Sequence, residues 1–416
     1  MNMPRTRTTV WCCAARLYSS FAIALIAAGA ASADSTFVSG AAEPSSAAAN
    51  AIGSTSQSSG LTVLPSMSTE RSGHTATLLV GGQVLIAGGE PNSTRAELYE
   101  PAQRAFRPIV DMTYGRWGHT ATRLPNSGFV LIAGGLGQSG ITLSAAELFV
   151  PASATFVPTH AMTTARYFHT ATLLGNGQVL IAGGQLDTEG NTTGSVELFN
   201  PTTRTFTRTG SMNHPRAQHA AVRLMDGRVL IAGGDAAGNT AEIFDPSTGR
   251  FSPTGSMLQS RYEPTATLIS GGKVLIAGGR WGTAGLSSLS SAEIYDPASG
   301  RFSAIPAMTF SRVGHTATTL LDGTVLIAGG LVKYSLCGVS QGLVTNSVER
   351  FNPITRQFTV VTADYLPAPR FEQRATRLLT GDVLVTGGLT VRTVLCEFPH
   401  FVRLRSTPTA TADLIR

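Results

Sequence analysis

The residues best suited to chemistry recur at a nearly fixed interval. Arg71, Arg116, Arg166, Arg216, Arg261, Arg312 and Arg370 form one series. Three positions beyond five of them stands a His, at His74, His119, His169, His219 and His315, with Pro264 and Gln373 in the other two copies. A third series is acidic: Glu97, Glu147, Glu197, Glu242, Glu293 and Glu349. Guanidinium forks match carboxylates in two-point hydrogen bonds. Two roles are therefore open to the Arg series, an anion-attracting surface or ion pairs with the Glu series that cancel that field. Five His spread one per copy do not converge to the ~2 Å bonds of a metal site, so hydrogen bonding to turn backbone is their expected role. The Glu series reads as structural ion pairs or backbone contacts. No nucleophile–base pair, phosphate-cradling Gly loop or carboxylate pair of defined spacing stands out. Cofactors are expected to be none.

The elements that must position these residues repeat seven times. Gly-Gly doublets fall at 88–89, 134–135, 183–184, 233–234, 278–279, 329–330 and 387–388, a mean period of about 50 residues, which is the range of propeller repeats. Each doublet ends a similar stretch. His74-Thr75-Ala76-Thr77-Leu78-Leu79 leads through Gly81-Gly82 into Val84-Leu85-Ile86-Ala87-Gly88-Gly89, and the copy from His315 to Gly330 matches it. Two strand-length runs joined by a Gly-containing turn predict a hairpin. The Val-Leu-Ile-Ala core does not alternate, as expected of a strand covered on both faces. Glu97-Leu98-Tyr99-Glu100-Pro101 with Phe106, and Glu242-Ile243-Phe244-Asp245-Pro246 with Phe251, predict a second hairpin around turn-forming residues. Each copy is thus four short antiparallel strands, a to d.

This pattern resembles the kelch repeat family, whose units carry a diglycine after the second strand and then a spaced aromatic pair. Tyr or Phe stands at 99, 149, 199, 244, 295 and 351, and Phe replaces the usual Trp at 106, 156, 206, 251, 302 and 358. The resemblance covers about residues 61–398 and implies an all-β, seven-bladed β-propeller of four-stranded antiparallel blades. Stacking blades in a circle is also what a unit with two apolar faces requires. In the seventh copy a third strand is expected near Val394–Phe398, and Leu61–Leu64 is expected to supply the fourth and close the ring, with Phe401–Leu404 the competing candidate. This places the propeller at 61–400 and a C-terminal tail at 401–416.

Antiparallel strands put the d–a and b–c connections on one face. Loops that differ between copies cannot be required by the shared scaffold, so ligand contacts are expected there. Between the diglycine and the strand-c Glu the first six copies have 7, 11, 12, 7, 13 and 18 residues. The candidate ligand-binding set is the seven Arg together with Trp117, Tyr167, Tyr262, Trp281 and Tyr334, since aromatics mixed with Arg offer stacking surfaces and donors. Tyr114, Phe168, Phe310 and Phe371 lie in the same loops. The diglycines end strands and open no helix, so they are not nucleotide fingerprints. Asp187-Thr188-Glu189-Gly190-Asn191 loosely resembles a calcium loop but lacks its terminal Glu. Cys337 and Cys396 are positioned in neighbouring copies, where an oxidised pair is one option; Cys396 also aligns with a small-residue slot at Ala96, Ala146, Ala241 and Ala292.

Composition sets the outer limits. The chain has 416 residues, 42 % of them hydrophobic and 13 % charged. That is enough apolar material for a full core, and no apolar run is long enough to span a bilayer. Arg5, Arg7 and Arg16 precede an uncharged stretch from Leu17, which ends in Ala31-Ser32-Ala33. These are the three parts of a secretory signal peptide, cleaved near Ala33, so a secreted, periplasmic or cell-surface location is expected. Residues 34–60 are rich in Ala, Ser and Gly and read as a flexible linker. Without 1–33 the chain keeps 28 of its 31 Lys+Arg against 25 Asp+Glu, so no nucleic-acid partner is expected. The expected function is a monomeric, non-catalytic propeller that binds a protein or glycan, acidic ligands included. The alternative is a carbohydrate-active enzyme similar to sialic-acid mutarotases. Copper-radical oxidases such as galactose oxidase share the kelch ring, but they need a Cys-linked Tyr and a further domain, and neither Cys matches.

Overall fold

A computed structural model describes residues 60–415 except 91, 283–286, 337–338 and 398–400; over 333–336, 339–343, 363, 391–397 and 401–406 it describes the backbone alone. The export signal and nearly all of the linker lie outside the described residues, as does Cys337, so the proposed Cys pair is not described. Among the described residues no helix is long and apolar enough to cross a membrane.

Seven four-stranded antiparallel sheets make up the propeller. In blade 1, strand a is Thr75–Leu78, b is Val84–Ala87, c is Ala96–Glu100 and d is Ala105–Pro108. The same order, a–b–c–d outward, repeats through blade 6. Every strand b is wholly buried, because successive residues face opposite neighbours. Leu85 and Ala87 pack on Val130, Ile132 and Phe149 of blade 2. Val84 and Ile86 pack on Leu378, Leu384 and Leu414 of blade 7. That two-sided burial is why the repeat reads Val-Leu-Ile-Ala without alternation. A Leu→Ala change in such a strand removes about 2–5 kcal/mol.

The diglycine ties blade to blade. The second Gly donates its N–H to the carbonyl of the next blade's Arg, from Gly89 to Arg116 at 2.9 Å around to Gly388 and Arg71 at 2.8 Å. The first Gly has left-handed φ, and a Cβ on Gly88 would stand 2.7 Å from the ring of His119 in the next blade. The repeated Gly and His are thus two halves of one interblade contact. In the seventh blade Gln373 replaces the imidazole and donates from Nε2 to the Ala328 carbonyl at 2.7 Å.

Closure mixes the two ends of the chain. Blade 7 is built from Arg374–Arg377 (a), Val383–Thr386 (b), Ala412–Ile415 (c) and Leu61–Val63 (d). The expected N-terminal strand d is therefore present and pairs Leu61 with Ile415. The expected strand c near Val394–Phe398 is not, and residues 401–416 are not a tail. Leu389–Glu397 and Phe401–Pro408 form a long hairpin inserted in the b–c connection. Ala412-Asp413-Leu414-Ile415 takes the strand because it alone repeats the small–acidic–apolar–apolar order of Ala96-Glu97-Leu98-Tyr99. Its acid meets buried Arg370, with Nη2 to Oδ2 at 2.6 Å.

Candidate binding site at the mouth of the ring

The d–a and b–c connections share one face. Trp117 bridges to Leu136, Tyr167 to Gln185, Tyr262 to Arg280, Val313 to Leu331 and Phe371 to Leu389, each time a d–a residue with the residue after the diglycine. This face surrounds the mouth of the axial channel.

The Arg series lies beneath that mouth and is withdrawn from it. All seven guanidinium groups are fully buried, at 0 % exposure. Arg166 is representative: Nη1 donates to the carbonyls of Gly183 (2.7 Å) and Ser195 (2.8 Å), and Nη2 to Glu197 Oε1 (3.0 Å). The other oxygen of Glu197 accepts the N–H of Thr163 at 2.7 Å. Arg71, Arg116, Arg216, Arg261 and Arg312 pair likewise with Glu97, Glu147, Glu242, Glu293 and Glu349. Burial pulls the Arg116 guanidinium down, and the Glu147 carboxylate pulls it back up. The expected anion-attracting mouth is thus corrected: in blades 1 to 6 these forks are spent clamping the first diglycine carbonyl and the start of strand c, and in blade 7 Arg370 holds the Thr411 carbonyl and Asp413. Buried charges persist only when paired in this way.

The His series is also internal. Each Nε2 meets a Thr hydroxyl of the preceding blade, as in His169 with Thr120 and His219 with Thr170 at 2.9 Å. Burial first, then the nearby Arg, pushes His169 and His315 down to about 3, so they stay neutral. Among the described residues no three His, Cys, Asp or Glu side chains converge as a bound metal requires. The donors present therefore do not fit a copper centre, since the five imidazoles are each engaged at separate blade junctions. At 187–191, Asp187 accepts the N–H groups of Glu189 and Asn191, a self-contained turn.

What lines the mouth is an inner collar two residues beyond each Arg: Gly73, Gly118, Phe168, Gln218, Glu263, Gly314 and Glu372, all with φ from 52° to 63°. Their backbones bond across blades, with Phe168 N to Gly118 O at 2.9 Å, Gln218 N to Phe168 O at 3.1 Å, and Glu263 N to Gln218 O at 2.7 Å. Gly is what this left-handed backbone prefers. The four other residues accept strain there, and strain of this kind concentrates at functional positions.

Two chemistries meet on the collar. On one side Trp117, Tyr167 and Phe168 form an aromatic cluster, with Trp117 4.8 Å from Phe168 edge-on and Tyr167 5.0 Å from Phe168. Trp117 lies so close over Gly73 that any Cβ there would overlap the indole. On the other side Arg280 donates to Glu263 (3.2 Å) and Gln218 (2.7 Å), and stacks over Tyr262 at 5.1 Å. Glu372 is pushed up to about 7 by burial, then by Glu263, with Arg374 opposing and Glu90 adding. Hairpins Arg280–Trp281/Ser287–Ser288, Leu331–Leu336/Val339–Val344 and the blade-7 hairpin adjoin one another and wall this side.

Of the aromatics expected from sequence, Trp117 is half-buried at the collar and Trp281 is 59 % exposed on the wall. Tyr167 and Tyr262 are buried, and their hydroxyls donate to the carbonyls of Asp187 and Asp235, so they brace the b–c loops. Tyr334 lies on the second hairpin, where only the backbone is described. Sequence reasoning missed Gln218, Glu263, Glu372 and Glu90. A signal was there: within Arg-x-x-His the third position is Gly in three copies and something else in four.

A model of the kelch motif matches residues 262–309, which contain all four strands of blade 5. This chain is a kelch-motif propeller of seven blades. Its fold is similar to that of a solved fungal alcohol oxidase of the AA5 family, determined in complex with copper. The two share 18 % identity over 85 % of this chain and 75 % of the other, with a TM-score of 0.65. No curated protein sequence matches the chain. At that identity the likeness shows the fold alone.

Proposed function

We propose that this kelch propeller is an exported binding protein that takes a carbohydrate at the collar, without transforming it. The observation that carries this reading is the juxtaposition of Trp117 and Phe168 with the Gln218–Arg280–Glu263 chain. An apolar sugar face stacks on aromatic rings, while its hydroxyls need planar donors and acceptors fixed nearby. With the seven Arg buried, the mouth carries carboxylates, and these favour a neutral glycan over an acidic one. The test is a glycan array followed by calorimetry on the hit. Trp117→Ala and Glu263→Gln should each weaken binding about tenfold or more, as losing a buried contact of 1.4 kcal/mol or more does. An array with no signal that depends on Trp117 overturns the proposal.

One observation favours a second reading, a carbohydrate-active enzyme. Glu372, held near 7 beside Glu263, has the poise of a general acid. Anomerisation and isomerisation of the bound sugar, followed by NMR, separates the two; a rate that falls with Glu372→Gln favours catalysis. The copper chemistry of the similar oxidase is not carried over, for want of a converging donor set among the described residues.

A further inference from the structure

The opposite face, formed by the a–b and c–d turns, has another character. Val80, Leu321, Leu379 and Met225 each follow a Leu that stands one residue past strand a, and they are 66 %, 72 %, 70 % and 77 % exposed. They overhang neighbouring turns: Leu321 lies over Gly381, Leu379 over Gly82, and Val80 over Gly128. Blades 6, 7 and 1 therefore share a continuous apolar arc, extended outward by Ile354 at 87 % exposure.

Cations stand on this face inside and outside the ring of apolar tips, with Arg377, Arg104 and Arg356 in the blades of the arc itself and the others around the remaining blades. Toward the axis, Arg123, Arg223 and Arg377 end strand a in blades 2, 4 and 7. Toward the rim, the c–d turns present exposed Arg104, Arg204, Arg250, Arg301 and Arg356. Among the described residues none of these eight has an ion pair, whereas the carboxylates alongside are engaged. Asp226 holds Arg228, Asp296 holds Lys273, Glu100 accepts from Gln83, Asp245 from Ser247 and Asp322 from Thr324. Leu61, Ile415 and Val383 align across blade 7, so the chain enters the propeller on this same side.

We propose that this turn face docks on an anionic lipid bilayer, with the apolar arc seated among acyl chains at the interface and the Arg on headgroup phosphates. Exposed apolar tips bordered by unpaired cations are the composition of an interfacial membrane surface. Charge complementarity selects the occupant. A second copy meeting this face about a twofold axis would oppose Arg to Arg, whereas a phosphate plane neutralises both Arg bands and admits the apolar arc. The collar then faces away from the bilayer, open to its own ligand. The inference is independent of what that ligand is.

The experiment is flotation of the protein with vesicles of phosphatidylglycerol and phosphatidylethanolamine, against phosphatidylcholine alone. Binding to the anionic vesicles only, weakening with salt, is expected. Arg104→Gln, Arg204→Gln and Arg356→Gln combined should weaken partitioning about a hundredfold, at roughly fivefold per Arg. Val80→Ser, Leu321→Ser and Leu379→Ser combined should also weaken it, while Leu258→Ser on the mouth face leaves it unchanged. Each variant's thermal melt reports that it remains folded. No flotation, equal flotation on neutral vesicles, or a dimer dissolved by the Ser variants in sedimentation would overturn the proposal.

Discussion

The two faces of this ring are made from the same seven repeats, yet they differ in charge and in how much of each repeat is free to vary. On the mouth face, the connections bury every member of the Arg series and leave a collar of Phe168, Gln218, Glu263 and Glu372. On the turn face, arginines stay exposed and apolar side chains overhang the turns. The lesson is that recurrence marks what a blade needs to stand beside its neighbours. Individuality marks what the assembled ring presents to others. A residue type that looks functional by chemistry, such as Arg, divides between the two according to whether a Glu waits for it on strand c.

The contrast would break first if a buried Arg behaved as a mouth residue. Arg166→Ala leaves Glu197 buried and unpaired, so it should lower unfolding free energy by about 3–5 kcal/mol in denaturant titration. The affinity of the protein that remains folded should be unchanged.

Glu372→Gln sharpens the contrast from the other side. The folded carboxyl is raised to about 7 from an ordinary value of 4.5, so between those limits the folded state holds the extra proton. Stability from this group is therefore full below about pH 4.5 and is lost as pH rises through 7. The Gln variant should be more stable than the parent by about 3 kcal/mol at pH 8 and equal to it at pH 4.5.

The His series titrates in the opposite sense. His169 is held near 3 when folded against 6.5 when unfolded, so its contribution is full above 6.5 and is lost as pH falls toward 3. Below pH 6.5 each such His should cost about 1.4 kcal/mol per pH unit. His169→Gln, copying the arrangement at Gln373, should flatten that slope by one proton in pH-dependent melts. The smallest effect belongs to the turn face: Leu321→Ser and Leu379→Ser should change stability by less than about 0.5 kcal/mol. A larger loss would show that the arc packs within the ring and is not a free surface.

Most of the scaffold was legible in the sequence because its period, its diglycines and its unalternating strand b reflect local backbone and burial rules that act within one copy. Strand d from Leu61–Val63 was legible for the same reason. Strand c of blade 7 was harder to see, because the hairpin from Leu389 to Pro408 separates Asp413 from the diglycine that normally announces it. The site was less legible still. Trp117 stood out by type, but Gln218, Glu263 and Glu372 become neighbours only when three d–a connections from different blades meet around one axis. A buried Arg and an exposed one look alike as letters.

The linear chain by itself determined the number of blades, the four-strand unit and the recurrence of Arg, His and Glu at fixed places in it, since these follow from spacing and hydrophobic pattern. Only the tertiary structure decided which charges face water and which collar residues share a mouth. Curvature and closure set those distances, and no spacing along the chain encodes them.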